Sequence, residues 1–157
     1  MPKKAVTSIS VQLDNRSYPI DVGADILKTL PTYLIEHKVG KKVFLITDEN
    51  VAPLYGRNLE SVLSKNNYSV TFIVLPQGES QKSFKNVSSL LDQILELKVE
   101  RNDSVVALGG GVIGDLAGFV ASLCLRGINL FQIPTSLLAQ VDACIGGKTA
   151  VNHPKGK

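Results

Sequence analysis

The order of apolar and polar positions along the chain predicts strands alternating with helices. Residues 7–13 alternate, with Ile9, Val11 and Leu13 on one face, and Asp14-Asn15-Arg16 can turn the chain back into 17–22 as a β-hairpin. Asp25 or Ala24 then opens a helix whose Ile26, Leu27, Leu30, Leu34 and Ile35 recur at helical spacing until Gly40; Pro31 inside that run predicts a split or a kink. From residue 42 the rhythm becomes regular. KVFLIT at 42–47 is a short continuous apolar run of the kind buried on both faces. Helix follows near 50–65 and a strand at 70–75. Phe84, Val87, Leu90, Leu91, Ile94 and Leu95 form the stripe of an amphipathic helix. Residues 104–108 make the next buried strand, with helix from about 112 to 124, a strand at 128–133 and a short helix at 136–141. Strands alternating with helices imply parallel βαβ units, hence an α/β, doubly wound, mostly parallel sheet behind an N-terminal hairpin.

Composition narrows the function classes. The chain has 157 residues, 44% hydrophobic and 20% charged, which suits one globular domain. No stretch approaches 18 uninterrupted apolar residues, and the first twelve lack the apolar core of a signal peptide, so a cytoplasmic protein without a membrane span is expected. The net charge of +3 is spread out, with Lys3–Lys4 and Lys41–Lys42 as pairs rather than tracts. That excludes a nucleic-acid footprint and suits a small anionic ligand. Cys124 and Cys144 have no C-x-x-C spacing and read as two buried, reduced thiols. His37 and His153 are far apart in sequence, and no metal-ligand set is assembled here.

The chemistry concentrates after the 104–108 strand. Five of the 13 glycines fall between 109 and 118, and Gly109, Gly111 and Gly114 satisfy G-x-G-x-x-G between a strand and a helix. A turn without β-carbons lets backbone approach a phosphate, and the helix that follows aims its free N–H groups at that anion. The acid that grips a ribose in dinucleotide folds belongs about 20 residues further on, but Phe131, Gln132, Ile133 and Pro134 stand there. Asp48, at the C-terminal end of KVFLIT, is the substitute; the same carboxylate also suits a cap for the helix near 50. Glu79 and Lys82, in a turn between a strand and a helix, are expected at the same sheet edge. Asp115, placed in the first helical turn, would be repelled by a diphosphate and so is expected to face a carboxamide or hydroxyl.

Gly146-Gly147-Lys148-Thr149 resembles the end of a phosphate-binding loop, but Asp142 occupies the position of its first glycine, which argues against ATP hydrolysis. His153, beside Pro154, reads as structural and His37 as a surface residue. The turn-rich stretch 145–157 stops at Lys157 without a closing helix, so the chain is expected to be the front part of a longer, two-domain protein.

These residues together resemble the 3-dehydroquinate synthase family. The resemblance rests on residues 109–119, on Arg126-Gly127, on 132–142, on Gly146-Gly147-Lys148-Thr149 and on Asn152-His153-Pro154. It implies a Rossmann-like fold and an NAD-dependent lyase. That activity converts 3-deoxy-D-arabino-heptulosonate 7-phosphate into 3-dehydroquinate and phosphate in the shikimate pathway. By position, Asp48, Glu79, Lys82, Gly110, Gly111, Val112, Asp115, Thr135, Ser136 and Leu138 would contact NAD. Asp142, Lys148 and Lys157 would reach the nicotinamide and substrate end, and Arg126 a substrate phosphate across a homodimer interface. The family's divalent metal, zinc or cobalt, would be held by residues outside this chain, so 1–157 alone is expected to bind NAD without turnover. A related sugar-phosphate cyclase, a polyol dehydrogenase and a non-catalytic nucleotide-binding module are the competing readings.

Overall fold

The computed structural model describes residues 6–156. Four parallel strands form its centre: β3 (Lys42–Asp48), β4 (Ser69–Leu75), β5 (Ser104–Gly109) and β6 (Asn129–Pro134), in spatial order β4-β3-β5-β6. The hairpin of β1 (Thr7–Val11) and β2 (Tyr18–Val22) forms a separate two-stranded antiparallel sheet. Its turn is a short 3₁₀ segment at Asp14–Arg16, as the Asp-Asn-Arg sequence predicts. The expected apolar face is only partly covered, since Ile9 is 54% exposed and Leu13 lies beyond the strand.

The two inner strands, β3 and β5, are apolar on both faces because helices cover both. Val43, Leu45, Val106 and Leu108 pack against Leu30 and Leu34 of α1 (Leu30–Glu36) and Leu59 and Leu63 of α2 (Arg57–Lys65). Phe44, Ile46, Val105 and Ala107 face α3 (Phe84–Glu96) and α4 (Gly111–Leu123). The continuous apolar runs thus reflect two buried faces rather than one.

Helix boundaries differ from the sequence expectation in physical detail. The helix expected from residue 24 or 25 begins as a 3₁₀ turn at Ile26–Thr29; α1 starts only at Leu30, with Pro31 in its first turn, where a missing N–H costs nothing. The segment near 50–65 opens with a π-helical turn at Ala52–Gly56 before α2. On α3 the buried stripe narrows to Val87, Leu90 and Ile94, leaving Phe84 and Leu95 half exposed. Cys124 is buried as expected, but Cys144 is only partly so; both are free thiols. No described helix is long and apolar enough to cross a membrane.

The strand order decides where a ligand can sit. From β3 the chain moves outward to β4, then crosses back over β3 to β5 and continues to β6. The direction reverses between β3 and β5, and a crevice opens beyond their C-terminal ends at such a reversal.

Candidate functional site

Asp48 ends β3 and Gly109 ends the neighbouring β5, so the aspartate and the glycine turn stand side by side at the reversal. A cleft of about 250 Å³ opens there, between Asp48 and Asn50, the 76–78 turn, and Gly110–Ile113. Asp48 Oδ1 accepts hydrogen bonds from the N–H groups of Asn50 at 2.9 Å and Val51 at 3.0 Å. It therefore caps the segment leading to α2 and borders the cleft at once. Asn50 Nδ2 donates to Gln77 Oε1 at 2.6 Å, and the Gln77 N–H donates to Glu49 Oε1 at 3.3 Å. These two bonds join the loops after β3 and β4 along one wall.

The opposite wall is the start of α4. Gly110 precedes it in an extended conformation, and among the described residues no side chain caps its first N–H groups. Uncapped N–H groups and the positive end of the helix dipole make this a site for an anion. A β-carbon on Gly110 would meet nothing closer than Ser136 Oγ at 3.5 Å, so backbone is open to a ligand on that side.

Further along α4, glycine serves packing. A β-carbon on Gly114 would stand 3.0 Å from Cys144 Sγ and 3.1 Å from Gln132 Oε1, and one on Gly118 would run into Thr149. These absences let the 139–149 segment lie directly on the helix. Gln132 Nε2 donates to the Gly114 carbonyl at 3.2 Å, and Cys144 Sγ donates to Gln132 Oε1 at 3.5 Å. Burial, and then the charge of Asp115, pushes the Cys144 thiol pKa up. The Gly146 N–H donates to Tyr18 Oη at 3.0 Å, which attaches the hairpin to the same segment.

That close packing creates a second cleft, also about 250 Å³, in which Asp115, Asp142 and Lys148 meet. Asp115 is a full turn inside α4, not in its first turn as the sequence suggests, because the helix begins at Gly111. Its Oδ2 accepts a 2.5 Å bond from Lys82 Nζ. The Lys82 side chain is 6% exposed, and its ammonium also lies 3.6 Å from Glu79 Oε1. The 79–82 turn and α4 are thereby joined by a charge pair in which the ammonium is buried and the Asp115 carboxylate half-buried.

The Thr135 N–H donates to the Gly109 carbonyl at 2.9 Å, and Ser136 Oγ accepts from the Ala139 N–H at 3.3 Å, so both stand beside the glycine turn. Leu138 is largely exposed and lines neither cleft. Arg126 follows the C-terminal end of α4, in a left-handed backbone conformation shared with Leu125. A 13-residue helix is about 20 Å long, which separates Arg126 from the cleft at the other end of α4. Lys157 lies outside the described residues. His37 is exposed, and His153 rests edge-on against Phe84, with ring centroids 6.5 Å apart. Among the described residues, no group of three or more His, Cys, Asp or Glu side chains could hold a metal ion. Sequence reasoning gave no role to Asn50 and Gln77, and gave Asn152 a place only in the family resemblance; their partners lie 27 to 73 positions away. The one available signal was that each lies within two positions of a residue already singled out.

Comparison with known proteins places the fold in a family. The family model described as the N-terminal part of 3-dehydroquinate synthase matches residues 72–157. The chain is 49% identical over 150 residues to the 3-dehydroquinate synthase of Desulforamulus reducens, covering 96% of this chain and 42% of that protein. It thus spans about two fifths of that relative's length. Among solved structures, 2-deoxy-scyllo-inosose synthase complexed with carbaglucose-6-phosphate, NAD+ and Co2+ matches with a TM-score of 0.87 and 28% identity, over 96% of this chain and 41% of that one. The 2-epi-5-epi-valiolone synthase of Streptomyces hygroscopicus, with NAD+ and Zn2+ bound, matches with a TM-score of 0.68 and 32% identity, over 76% and 33%. Sequence, strand order and the glycine turn beside Asp48 agree: this chain belongs to the 3-dehydroquinate synthase family, as its N-terminal part.

Proposed function

We propose that residues 1–157 form the NAD-binding domain of a 3-dehydroquinate synthase. The whole protein would convert 3-deoxy-D-arabino-heptulosonate 7-phosphate into 3-dehydroquinate and phosphate. The observation that carries this reading is the uncapped start of α4 facing Asp48 across the cleft at the sheet's reversal. Free N–H groups fit a diphosphate, and a carboxylate at the end of a neighbouring strand fits ribose hydroxyls.

When bound, NAD supplies a hydride acceptor that oxidises a substrate hydroxyl and later returns the hydride. The chain's own residues bind and orient. The Gly111 and Val112 N–H groups hold the pyrophosphate, with Thr135 and Ser136 beside the same turn. Asp48 takes the ribose, while its capping bonds fix the carboxylate's direction. Lys82 neutralises Asp115, so that Asp115 can accept from a carboxamide or hydroxyl without repelling the diphosphate. In the second cleft, Lys148 beside Asp142 places an ammonium where a leaving phosphate gains charge. Lys157 shares that role by position. Arg126, at the far end of α4, would meet a substrate phosphate only in a homodimer, on the other subunit's site. The donor set described here does not fit a metal, so the family's divalent ion is assigned to residues outside this chain, and no step is derived through it. Two free thiols suit a cytoplasmic enzyme.

Calorimetry with NAD and with ADP, followed by a phosphate-release assay on the heptulosonate phosphate, tests the reading. The chain alone should bind NAD more tightly than ADP and release no phosphate with added zinc, whereas the whole protein should release it. Equal affinity for the two nucleotides would favour a module that recognises adenosine only. Turnover by the chain alone would overturn the division of labour. Release from a different sugar phosphate, with none from the heptulosonate, would move the protein to a sister cyclase.

A further inference from the structure

Asn152 belongs to neither cleft, yet it contacts the turn whose Lys82 pairs with Asp115 of the second cleft. Its main-chain N–H donates to the Lys82 carbonyl at 2.7 Å, and it forms a parallel bridge with Ser83. Its side-chain Nδ2 donates to Glu79 Oε1 at 3.0 Å and lies 3.4 Å from the Glu79 carbonyl. That same Glu79 oxygen is 3.6 Å from Lys82 Nζ, which bonds Asp115 on its other side. An amide, a carboxylate, an ammonium and a second carboxylate therefore run in one line from the 150–156 loop to α4.

The other atom of the amide shows which half of it matters. Asn152 Oδ1 is buried and has no hydrogen-bond partner among the described residues. An unpartnered buried acceptor costs free energy, so the Nδ2 contact to Glu79 is what favours an amide here. The assignment of O and N is also forced, because a flipped amide would aim its oxygen at the Glu79 carboxylate and carbonyl. A carboxylate at this position would lose the donor, face Glu79 with like charge and bury a charged oxygen without a partner.

We propose that Asn152 is a positioning residue. Through Glu79 it fixes the 79–82 turn so that the Lys82 ammonium stays on Asp115 and the wall between the clefts keeps its shape. The proposal rests on the dinucleotide reading of those clefts. Asn152 touches no ligand itself; it acts through Glu79 and Lys82.

The test compares wild type, Asn152→Asp and Asn152→Ala, reading NAD affinity by calorimetry from pH 5.5 to 8. The groups facing position 152 from the packed elements are Glu79 and Lys82 of the turn and, through Lys82, Asp115 of α4; His153 is adjacent in the chain. Asn152→Asp should weaken NAD binding about tenfold at pH 8, the scale of one lost hydrogen bond to a charged group. Protonation of the introduced carboxyl restores a donor towards Glu79, so the loss should shrink to about two- to threefold relative to wild type at pH 5.5. Asn152→Ala has no proton to regain, and its loss should stay constant across the range. Equal pH profiles for the two variants, or wild-type affinity in Asn152→Asp at pH 8, would overturn the proposal. Amide hydrogen exchange over 78–83 in ligand-free protein reads the same tether without NAD. Exchange should be faster in both variants than in wild type at pH 8; unchanged exchange overturns the tether. If wild type itself fails to bind NAD while the tether responds in exchange, the cofactor reading fails and the positioning of the turn stands.

Discussion

Replacing Lys82 by methionine removes an ammonium while keeping a stem of similar volume, so no large cavity follows. In the folded chain that ammonium is 2.5 Å from Asp115 Oδ2 and 3.6 Å from Glu79 Oε1, on a side chain 6% exposed. Breaking a buried pair by removing one partner costs about 3–5 kcal/mol, because the other charge is left uncompensated. Asp115 keeps 20% of its side chain exposed, so water recovers part of that cost, and about 2–3 kcal/mol is expected. Glu79 is 55% exposed and adds little. For a chain of this length, such a loss lowers Tm by about 5–10 °C. Lys82→Met combined with Asp115→Asn removes both charges and should cost only about 1–2 kcal/mol, less than either single change alone. Urea unfolding of the four proteins, followed by circular dichroism, gives the coupling directly. Additive losses in the double variant, or a Lys82→Met protein within about 0.5 kcal/mol of wild type, would refute the assignment of a coupled buried pair.

Asp48 carries two roles that substitution can separate. Asp48→Ser keeps an acceptor for the Asn50 and Val51 N–H groups and so should leave Tm within about 2 °C of wild type. It should weaken NAD binding about tenfold by calorimetry and narrow the preference for NAD over its 2′-phosphorylated form. Alkaline pH should destabilise the fold. The Tyr33 hydroxyl is held up by its hydrogen bond to Asp21 and by burial, Tyr68 and Cys124 by burial, and Cys144 by burial and Asp115. Each group keeps its proton more tightly folded than unfolded. The stability they contribute is full below their unfolded pKa values and is lost as pH rises, beginning near about 8.5 for the thiols and 10 for the tyrosines. Urea midpoints that stay flat from pH 8 to 10.5 would contradict these directions. Because Asp115 raises the Cys144 pKa, Asp115→Asn should speed alkylation of Cys144 by iodoacetamide at pH 8.

Much of this architecture is legible in the sequence because it depends on local periodicity. Apolar runs at 42–47 and 104–108 require two covered faces, and helices between successive strands require a parallel sheet. The glycine turn also announces itself locally, since strand, glycines and helix are contiguous. The absence of an acid at 131–134, the end of β6, is visible too, and it directs attention back to Asp48. Family membership follows from the same contiguous residues.

Tertiary structure decided the rest, because it depends on partners remote in sequence. No periodicity shows that β5 lies beside β3 and not β4, and that order alone brings Asp48 next to Gly110. The glycines divide into two uses only in three dimensions: Gly110 leaves backbone open to a ligand, while Gly114 and Gly118 admit Cys144 and Thr149. Lys82 reads as a turn lysine until folding buries it 33 positions away on Asp115. Asn152 gains its place by reaching Glu79, 73 positions earlier. Local patterning determines which segments become strands and helices, whereas the site arises from side chains that only the strand order and close helix packing bring together.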